Sequence, residues 1–332
     1  MAGLLLTRLM AEQCADQLPT IAAQTGTELT PILFPADESP LDASTVSAID
    51  LAYVSPDLFR VGVERVWQFM QTLESAPNLR WAHLGWAGTD HPRFAEFLDR
   101  GVQISNSPGA AAEPIAHSAM AGLLSLARRF PFFARQQREH RWERLPAELV
   151  PPDLGTQTLV IFGLGSIGRE LARLARPFGI RVIGVRRSPR RDDDEVDDLI
   201  HPDQLDGGLP EADWLAITSP LTAATLGAIS AARLDLLPPG AHLLNVARGK
   251  IVDEEALVAR LESGAIAGAY LDVVSEEPLT PDSPLWDLPN VILTPHSSWV
   301  ARGNPERARQ IFLTNLACVL RGEDLPQAIR RD

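Results

Sequence analysis

The sequence predicts an α/β protein whose sheets are mainly parallel. Short apolar runs alternate with helix-length amphipathic stretches from one end of the chain to the other, which is typical of strand–helix–strand units. One unit carries a glycine-rich phrase between its first strand and its helix, and three later phrases place charged residues directly after apolar strands. The length of 332 residues favours about two domains.

Composition and charge exclude several classes of partner. The net charge of −13 gives little long-range attraction to phosphate backbones or anionic lipids, so we expect neither nucleic acid nor a membrane as partner. The two cysteines, Cys14 and Cys318, lie too far apart in sequence to suggest a metal site or a disulfide framework, which favours a cytoplasmic setting without metal. The first residues predict a strand rather than a signal peptide, and the apolar stretch 119–127 is far below the roughly 20 residues of a membrane span.

The first half of the chain predicts one sheet, a long helix and a surface excursion. Strands are expected at 3–6, 30–34, 51–54, 81–84 and 102–104, and helices at 11–25, 63–71 and 93–99. The phrase SNSPG at 105–109 predicts a turn, after which residues 113–129 predict a long helix that crosses between domains. Residues 130–152 have no clean period, which favours a surface excursion or an arm that packs on another subunit.

A complete strand–helix–strand unit surrounds the glycine phrase. Residues 158–162 and 181–185 are apolar runs, and residues 169–178 between them have helical period. The phrase consists of Gly163, Leu164, Gly165, Ser166, Ile167 and Gly168. The first glycine permits a tight turn, the second lets the backbone approach a pyrophosphate, and the third allows close contact between helix and strand. With the free N–H groups of the helix start, this phrase predicts a dinucleotide site.

The end of the second strand bears on the choice between NAD and NADP. An acidic residue there binds the ribose 2′-hydroxyl, whereas arginine accommodates a 2′-phosphate. This chain has Arg186 there, followed by Arg187 and Ser188, and a planar guanidinium suits phosphate through paired hydrogen bonds. We therefore expect these residues to bind NADP(H), with NAD(H) as the other possibility. The alternative is a solvated basic loop neutralised by the acidic residues 192–195.

Three charged groups follow apolar strands further along the chain. Arg248, Asp272 with Glu277, and His296 come after apolar runs that end at residues 244, 271 and 293. Strand ends border the crevice where nucleotides bind in α/β sheets. An arginine there can bind a carboxylate and polarise a carbonyl, and a histidine held by a carboxylate can supply the proton that reduction of a ketone requires. Arg248, Glu277 and His296 together predict a hydride-transfer enzyme.

The chain resembles the D-isomer-specific 2-hydroxyacid dehydrogenases. The resemblance extends over nearly all of residues 80–320 and is carried by the phrases SPLTAATLG, NVARGKIVDEEAL and LDVVSEEPLTPDSPLWDLPNVILTPH. It implies that Arg248 binds the substrate carboxylate and carbonyl, and that His296, paired with Glu277, is the general acid and base. It further implies that Asp272 holds the nicotinamide carboxamide. The residues that would line the dinucleotide are Ser219, Pro220, Thr225, Val246 and Ala247.

The same resemblance implies a domain layout. A Rossmann-type NAD(P)-binding domain at 105–293 would be inserted into a discontinuous flavodoxin-like substrate domain made of 1–104 and 294–332, with a cleft that closes on substrate. The phrase GWAGTD at 85–90 resembles the family's substrate loop, in which the N–H groups of Ala87 and Gly88 would bind the carboxylate. A homodimer formed through the arm is also implied. Arg186 stands where the family usually has aspartate, which puts a preference for NAD in doubt.

The expected reaction is hydride transfer between NAD(P)H and the 2-carbon of a 2-keto acid, in particular NADPH-linked reduction of glyoxylate, hydroxypyruvate or a related acid. Two alternatives stay open. One is oxidation of phosphite or another unusual anion by similar side chains. The other is a dinucleotide-sensing scaffold, because the family also resembles the carboxy-terminal-binding corepressors. Consumption of NAD(P)H with 2-keto acids distinguishes the enzyme from the scaffold.

Overall fold

The chain forms two compact units, each built on one parallel sheet. The computed structural model describes residues 1–37, 39–88, 91 and 93–329. One unit consists of Met1–Ala111 with the C-terminal segment that starts at Ala301, and the other of Ala112–Val300. The α/β class that the alternating pattern predicts is confirmed in both units.

The first unit contains five parallel strands in the order β2-β1-β3-β4-β5, which is the flavodoxin-like order. Its strands are β1 Ala2–Leu6, β2 Leu29–Leu33, β3 Leu51–Val54, β4 Trp81–Leu84 and β5 Gln103–Asn106. Its helices are α1 Arg8–Gln13, α2 Gln17–Thr25, α3 Ala43–Ser47, α4 Leu58–Val61, α5 Val63–Glu74, α6 Arg93–Asp99 and, from the C-terminal segment, α13 Asn304–Arg321.

The second unit contains seven parallel strands. The strand before the glycine phrase lies inside the sheet, and the later strands are added on either side of it, as in a Rossmann fold. Its strands are β6 Thr158–Phe162, β7 Arg181–Val185, β8 Asp198–Ile200, β9 Trp214–Ile217, β10 His242–Asn245, β11 Gly268–Leu271 and β12 Val291–Leu293. In space they run β12-β11-β10-β9-β6-β7-β8.

The helices of the second unit vary widely in length. The α-helices are α7 Ala112–Ala127, α8 Phe130–Arg138, α9 Ser166–Ala175, α10 Leu205–Gly208, α11 Ala231–Leu234 and α12 Glu254–Ser263. Single 3-10 turns are Ala147–Leu149, Leu154–Thr156, Arg176–Phe178, Pro202–Gln204, Leu209–Glu211, Gly249–Ile251 and Pro284–Trp286. In the part of the chain that the structure describes, no helix is long and apolar enough to cross a membrane.

Apolar side chains cover both faces of the second sheet. Val160 and Phe162 of β6 belong to one buried cluster, and Leu159 and Ile161 belong to another, because successive side chains of a strand point to opposite faces. A strand buried on both faces needs an unbroken apolar sequence, which explains the continuous runs seen in this chain. Polar side chains therefore collect in the loops at the strand ends.

The single helix predicted at 11–25 is wrong. The structure has two helices, α1 and α2, separated by a turn at residues 14–16. Pro19 gives the physical reason, since proline has no N–H to donate and its ring would clash with the carbonyl of residue 15 in a continuous helix. Restarting the helix at Gln17 puts the proline in the first turn, where it is tolerated.

The excursion predicted at 130–152 contains a helix that its sequence pattern did not reveal. Arg129 has a φ of 59°, which ends the path of α7, and α8 begins at the next residue with a proline in its first turn. The segment also carries exposed apolar side chains, namely Phe130, Phe133, Trp142 and Val150. It therefore presents apolar surface to its surroundings.

The limits of the two units fall after residues 111 and 300, whereas the predicted domain boundaries fall after 104 and 293. The turn after β5 stays with the first unit because Nε of Arg307 donates a 2.6 Å hydrogen bond to the carbonyl of Ala110. The loop after β12 stays with the second unit because the N–H of Ser298 donates to the carboxylate of Asp272 at 3.0 Å.

Candidate active site

Three neighbouring strands of the second unit end at one edge of the sheet, and a predicted functional residue follows each. β10 pairs with β11 and β11 pairs with β12, all in parallel. Arg248, Asp272 and His296 follow the carboxyl ends of these strands within three residues. This edge is where open α/β sheets bind their ligands.

His296 and Glu277 form a hydrogen-bonded pair. Nδ1 of His296 lies 2.7 Å from Oε2 of Glu277, and the imidazole is the donor because a carboxylate only accepts. The two side chains are 41% and 36% exposed. The other carboxylate oxygen accepts from the N–H of Val274 at 3.3 Å, which fixes the orientation of the carboxylate. Within the described residues, Nε2 of His296 has no hydrogen-bond partner, so the pairing leaves it available.

The backbone of His296 lies in the left-handed region, with a φ of 47°. Histidine is among the residues that enter this region more readily than most. Its N–H donates to the carbonyls of Asp272 at 2.8 Å and Thr294 at 2.9 Å, and its own carbonyl accepts from Nε1 of Trp299 at 2.9 Å. These hydrogen bonds set the position from which the imidazole projects.

Asp272 is buried and holds the loop that carries His296. Its Oδ1 accepts from the hydroxyl of Thr294 at 2.6 Å and from the N–H groups of Ser297 and Ser298 at 3.0 Å each. Its Oδ2 accepts from the hydroxyl of Ser298 at 2.5 Å. Oδ2 therefore accepts one hydrogen bond where Oδ1 accepts three, and because a carboxylate oxygen can accept at least two, Oδ2 retains capacity for a further donor.

Arg248 lies in a tight turn after β10, and that turn packs against the loop that leads to Glu277. Nδ2 of Asn245 donates to the carbonyl of Arg248 at 3.1 Å, which closes the turn. A Cβ on Gly249 would lie 1.9 Å from the carbonyl carbon of Val274, so only glycine permits this approach of two backbones. The structure thus brings the turn of the predicted arginine next to the loop of the predicted carboxylate.

The glycine turn after β6 combines two crowded positions with one open position. Gly163 has a φ of 109°, and a Cβ there would lie 2.4 Å from the nitrogen of Ser219. A Cβ on Gly168, in the first turn of α9, would lie 2.4 Å from the carbonyl oxygen of Gly163. A Cβ on Gly165 would meet none of the described atoms within 4 Å. The crowded glycines shape the turn, and the open one leaves room for a ligand to approach the backbone.

The start of α9 offers backbone N–H groups to an anion. The residues before the helix donate their N–H groups within the turn and to β7: Gly163, Leu164 and Gly165. Among the described residues, no backbone or capping acceptor binds the N–H groups of the first helical residues: Ser166, Ile167 and Gly168. Unpaired N–H groups and the positive end of the helix dipole together suit a phosphate, so this turn fits the pyrophosphate of a dinucleotide.

The other residues expected around the dinucleotide lie at the ends of β9 and β10. Ser219 is buried, and its hydroxyl has no partner among the described residues, which fits a ligand-binding group because a buried unpaired hydroxyl costs free energy. Thr225 donates to the carbonyl of Pro220 at 2.6 Å and so closes its own loop. Val246 and Ala247 are buried beside the turn of Arg248.

Arg186 is bound within its own loop. Its Nη1 and Nη2 donate to the two carboxylate oxygens of Asp194 at 3.1 and 2.7 Å. Its remaining N–H groups donate to the backbone carbonyls of Leu164, Ser188 and Pro189. A guanidinium has five N–H donors, so the group expected to meet a 2′-phosphate is already saturated. The next residues, Arg187 and Ser188, are exposed.

The buried carboxylate of Asp194 organises this loop. Burial by itself raises the pKa of Asp194, but the hydrogen bonds from Arg186 and from the N–H of Arg191, with the charges of Arg186 and Arg169, outweigh burial and hold the pKa below its usual value. Nε of Arg169, on α9, lies 3.3 Å from the same carboxylate. One acidic side chain thus joins the loop to the helix that starts at the glycine turn.

The predicted substrate loop follows β4 in the first unit. Nδ2 of Asn106 donates to the carbonyl of Ala87 at 2.7 Å. Because the C=O and N–H of one peptide point in opposite directions, this bond turns the N–H of Gly88 away from Asn106. Thr89 and Asp90, the last residues of the predicted phrase, lie outside the described residues.

Sequence reasoning missed the residues that position the predicted ones. They are Asn106, Asp194, Asn245, Thr294 and Ser298. An Asn directly after an apolar run is a recognisable turn former, and this signal was present at Asn245. The partners of the others are distant in sequence or are backbone groups, so the chain alone does not identify them. The described residues contain no group of three His, Cys, Asp or Glu side chains placed to hold a metal ion.

Comparison with known proteins finds similarity along both units. Residues 120–298 match the profile of the D-isomer specific 2-hydroxyacid dehydrogenase, NAD binding domain. A glyoxylate reductase from Korarchaeum cryptofilum is 35% identical over 264 residues, which cover 79% of each chain.

Two solved structures are similar over nearly their whole length. A D-isomer specific 2-hydroxyacid dehydrogenase from Xanthobacter autotrophicus, in complex with NADPH, has a TM-score of 0.75 at 28% identity, covering 99% of this chain and 98% of that chain. An NADPH-dependent glyoxylate/hydroxypyruvate reductase from Sinorhizobium meliloti, in complex with NADP, has a TM-score of 0.73 at 26% identity, with the same coverage.

Proposed function

Since the chain belongs to the D-isomer-specific 2-hydroxyacid dehydrogenase family, we propose that it catalyses the NADPH-linked reduction of glyoxylate, hydroxypyruvate or a related small 2-keto acid. Membership of the family makes it an NAD(P)-dependent oxidoreductase that acts on 2-keto and 2-hydroxy acids. The glyoxylate reductase and the NADPH-dependent reductase to which it is similar support the narrower choice of substrate and cofactor.

The observation that carries the proposal is the pair formed by His296 and Glu277. The pair uses Nδ1 and leaves Nε2 outside it, on an imidazole that follows the carboxyl end of β12. Reduction of a ketone requires one proton on oxygen, and an imidazole oriented by a carboxylate is the side chain best suited to supply it near neutral pH. When bound, the reduced nicotinamide supplies hydride to the 2-carbon.

His296 then acts as general acid in reduction and as general base in the reverse direction. Nε2 donates its proton to the substrate oxygen as negative charge develops there, and the resulting imidazole keeps its Nδ1 hydrogen bond to Glu277. Glu277 stabilises the charged imidazole before transfer, because an opposite charge at hydrogen-bond distance favours it. The Nδ1 hydrogen bond to Glu277 holds the ring, and the hydrogen bonds to the backbone of His296 fix the position from which the ring projects.

Arg248 binds the substrate carboxylate and polarises the carbonyl in this proposal. A half-buried guanidinium at a strand end can donate two parallel hydrogen bonds to a carboxylate. It can also stabilise charge on the neighbouring carbonyl oxygen, which lowers the barrier because that charge grows in the transition state. The packing of Gly249 on Val274 fixes the turn from which the arginine projects.

The glycine turn and the neighbouring strand ends hold the dinucleotide in this proposal. The N–H groups of Ser166, Ile167 and Gly168 would bind the pyrophosphate. Asp272 would accept a hydrogen bond from the nicotinamide carboxamide on Oδ2, the oxygen with remaining capacity. The hydroxyl of Ser219, which has no partner in the part of the chain that the structure describes, would donate to or accept from the dinucleotide. The preference for NADPH over NADH rests on the basic loop after β7 and on the two NADP(H) complexes of similar proteins.

Three further assignments rest mainly on the family resemblance. The N–H groups of Ala87 and Gly88 would bind the substrate carboxylate, and the hydrogen bond from Asn106 to the carbonyl of Ala87 supports this for Gly88 by fixing the peptide that carries its N–H. The exposed apolar side chains of residues 130–150 support a homodimer that covers them. Two buried free cysteines are in keeping with a cytoplasmic location.

A panel of 2-keto acids tests the proposal. Glyoxylate, hydroxypyruvate, pyruvate and a bulkier 2-keto acid are mixed with the purified chain and with NADPH or NADH, and cofactor consumption is followed by absorbance. We expect consumption with glyoxylate or hydroxypyruvate, at least about tenfold more efficient with NADPH. The Arg248→Gln variant is the control, since it should bind NADPH normally and lose activity. Binding of NADPH without consumption would instead favour the scaffold, and NADP reduction by phosphite would favour the anion dehydrogenase.

A further inference from the structure

The loop after β7 contains more arginines than it leaves available to a ligand. Arg186 donates all five of its N–H groups within the protein. Arg190 donates to the backbone carbonyls of residues 196 and 197. Arg169, on α9, binds the carboxylates of residues 193 and 194. Among the described residues, Arg187 and Arg191 are the arginines of this region whose guanidinium groups have no partner.

The conformation of the loop depends on Asp194. This carboxylate accepts from the guanidinium of Arg186 and from the N–H of Arg191, which lies three residues before it, at 2.7 Å. The guanidinium in turn donates to the carbonyls of Ser188 and Pro189, between the two ends of the loop, and to Leu164 in the glycine turn. The ion pair of Arg186 with Asp194 therefore closes residues 186–194 on themselves, and the hydrogen bond from Arg186 to Leu164 fastens them to the glycine turn. Arg169 joins the same carboxylate to α9.

We propose that Asp194, acting through Arg186, is a positioning residue for cofactor choice, and that Arg186 is not itself a ligand of the 2′-phosphate. The pair holds the loop so that Arg187, which directly follows the saturated arginine and is exposed, meets the 2′-phosphate of NADP(H). This inference rests on the proposed preference for NADPH. It differs from the expectation that the first arginine after the strand binds the phosphate.

The two assignments of Arg186 predict effects of opposite sign when Asp194 loses its charge. If Arg186 were a phosphate ligand, Asp194→Asn would free its donors and remove a competing negative charge, so NADPH would bind as tightly as before or more tightly. If Arg186 positions the loop, the same substitution loosens the loop and weakens the contact made by Arg187. NADPH then binds more weakly, while NADH, which lacks the 2′-phosphate, is unaffected.

The test is a fluorescence titration of the full chain with NADPH and with NADH, in the absence of substrate. We expect Asp194→Asn and Arg186→Gln each to weaken NADPH binding about tenfold and to change NADH binding less than about twofold. Combining them should cause little loss beyond that of Asp194→Asn alone, because that substitution already breaks the contact through which Arg186 acts. Arg187→Gln should weaken NADPH by about tenfold or more and leave NADH unchanged.

Asp192→Asn is the matched control, because Asp192 is an exposed acid in the same loop. It changes the loop charge equally and should leave NADPH binding equal or slightly tighter. Unchanged NADH binding serves as the check that each variant is folded, and Arg187→Gln, a surface change, keeps the test decisive if the buried variants fail to fold.

The outcomes separate the inference from the function on which it rests. Equal or tighter NADPH binding by Asp194→Asn, or full NADPH binding by Arg187→Gln, overturns the inference alone. Wild-type protein that binds NADPH no more tightly than NADH overturns the proposed cofactor preference and this inference with it. Loss confined to NADPH in the two pair variants and in Arg187→Gln supports both.

Discussion

Two hydrogen-bonded side-chain pairs at strand ends of the same sheet, each containing one carboxylate, use their N–H donors in opposite ways. His296 donates one N–H to Glu277 and keeps Nε2 outside the pair, and both side chains are more than a third exposed. Arg186 donates every N–H within the protein, and its partner Asp194 has no exposed side-chain surface. The His296–Glu277 pair, called here the open pair, keeps a donor that can act on a ligand. The Arg186–Asp194 pair, called the closed pair, can only shape the loop that contains it.

The difference shows that the identity and position of a charged residue do not determine its function. What matters is whether the fold leaves a donor or acceptor unpaired at the place where a ligand binds. An exposed pair contributes little to stability, typically less than about 1 kcal/mol, whereas removing one partner of a buried pair is costly because the other charge stays buried. The two pairs should therefore respond to substitution in different measurements.

The largest effect should come from removing the proton donor of the open pair. Glutamine in place of His296 can donate a hydrogen bond but cannot transfer a proton at neutral pH, so kcat/KM should fall by about 10³-fold. Dissociation constants for NADPH should change by less than about twofold, since the imidazole is not part of the glycine turn. Steady-state rates and fluorescence titrations measure both quantities. Activity within about tenfold of wild type would remove His296 from the mechanism.

A buried histidine extends the comparison, because burial and not a neighbouring carboxylate determines the protonation state of its ring. His242 stacks on Trp214 with ring centres 4.2 Å apart, and burial, assisted by the charge of Arg129, lowers the pKa of His242 to about 4. Below about pH 6.5, His242 binds a proton in the unfolded chain but stays neutral in the folded chain. The unfolding free energy should therefore fall as the pH drops from about 6.5 to 4, by about 3 kcal/mol in total from this residue.

The variant that checks this expectation is His242→Asn. Urea unfolding at several pH values should show a slope of unfolding free energy against pH that is smaller than in wild type by about 1.4 kcal/mol per pH unit between pH 4 and 6.5. A slope identical to wild type would show that His242 does not stay neutral in the folded protein. Above pH 7 the two proteins should differ only by the constant cost of the lost ring stacking.

Substitution in the closed pair should lower the unfolding free energy and leave the rate of the chemical step unchanged. Asp194→Asn removes the charge that holds Arg186, so the unfolding free energy should fall by about 2 kcal/mol in urea. At saturating NADPH, kcat should stay within about twofold of wild type, because the pair does not touch the reacting atoms. For Asp192→Asn, the exposed neighbour, the stability change should be below about 0.5 kcal/mol. Equal stability of the two variants would contradict the account of a buried, fully bonded pair.

The same acid-to-amide change in the open pair should have the reverse outcome. In Glu277→Gln the side chain still accepts a hydrogen bond from His296 but no longer stabilises its charged form, so kcat should fall by about tenfold at neutral pH. Stability should change by less than about 1 kcal/mol, since both side chains are exposed. An unchanged kcat would show that the carboxylate of Glu277 does not assist His296 in the reaction.

The fold and the placement of the candidate catalytic side chains at strand ends could be predicted largely from local sequence. Strands buried on both faces must be apolar throughout, and strand ends in parallel sheets collect functional groups, so the position of His296 after β12 followed from pattern alone. The ends of the helices were harder to predict from the sequence. The break before α2 depends on one proline, and the apolar residues of α8 are confined to its first half, at 130–134.

The supporting contacts could not be predicted, because each joins residues that the sequence keeps apart or that look ordinary in context. Asp194 is one of several acids in a charged stretch, and burial alone distinguishes it from Asp192. The saturation of Arg186 depends on where backbone carbonyls lie in three dimensions. Ser298 and Trp299 likewise acquire their function only when the loop after β12 folds against Asp272.

A double-substitution cycle on the open pair tests the central claim most directly. The claim is that Glu277 affects the reaction only through His296. The values of kcat/KM for 2-keto acid reduction are compared in wild type, Glu277→Gln, His296→Gln and the double variant. We expect the glutamate substitution to cost about tenfold in the wild-type background and almost nothing once His296 is gone. An equal loss in both backgrounds would contradict the account, because the carboxylate would then act on the reaction independently of the imidazole.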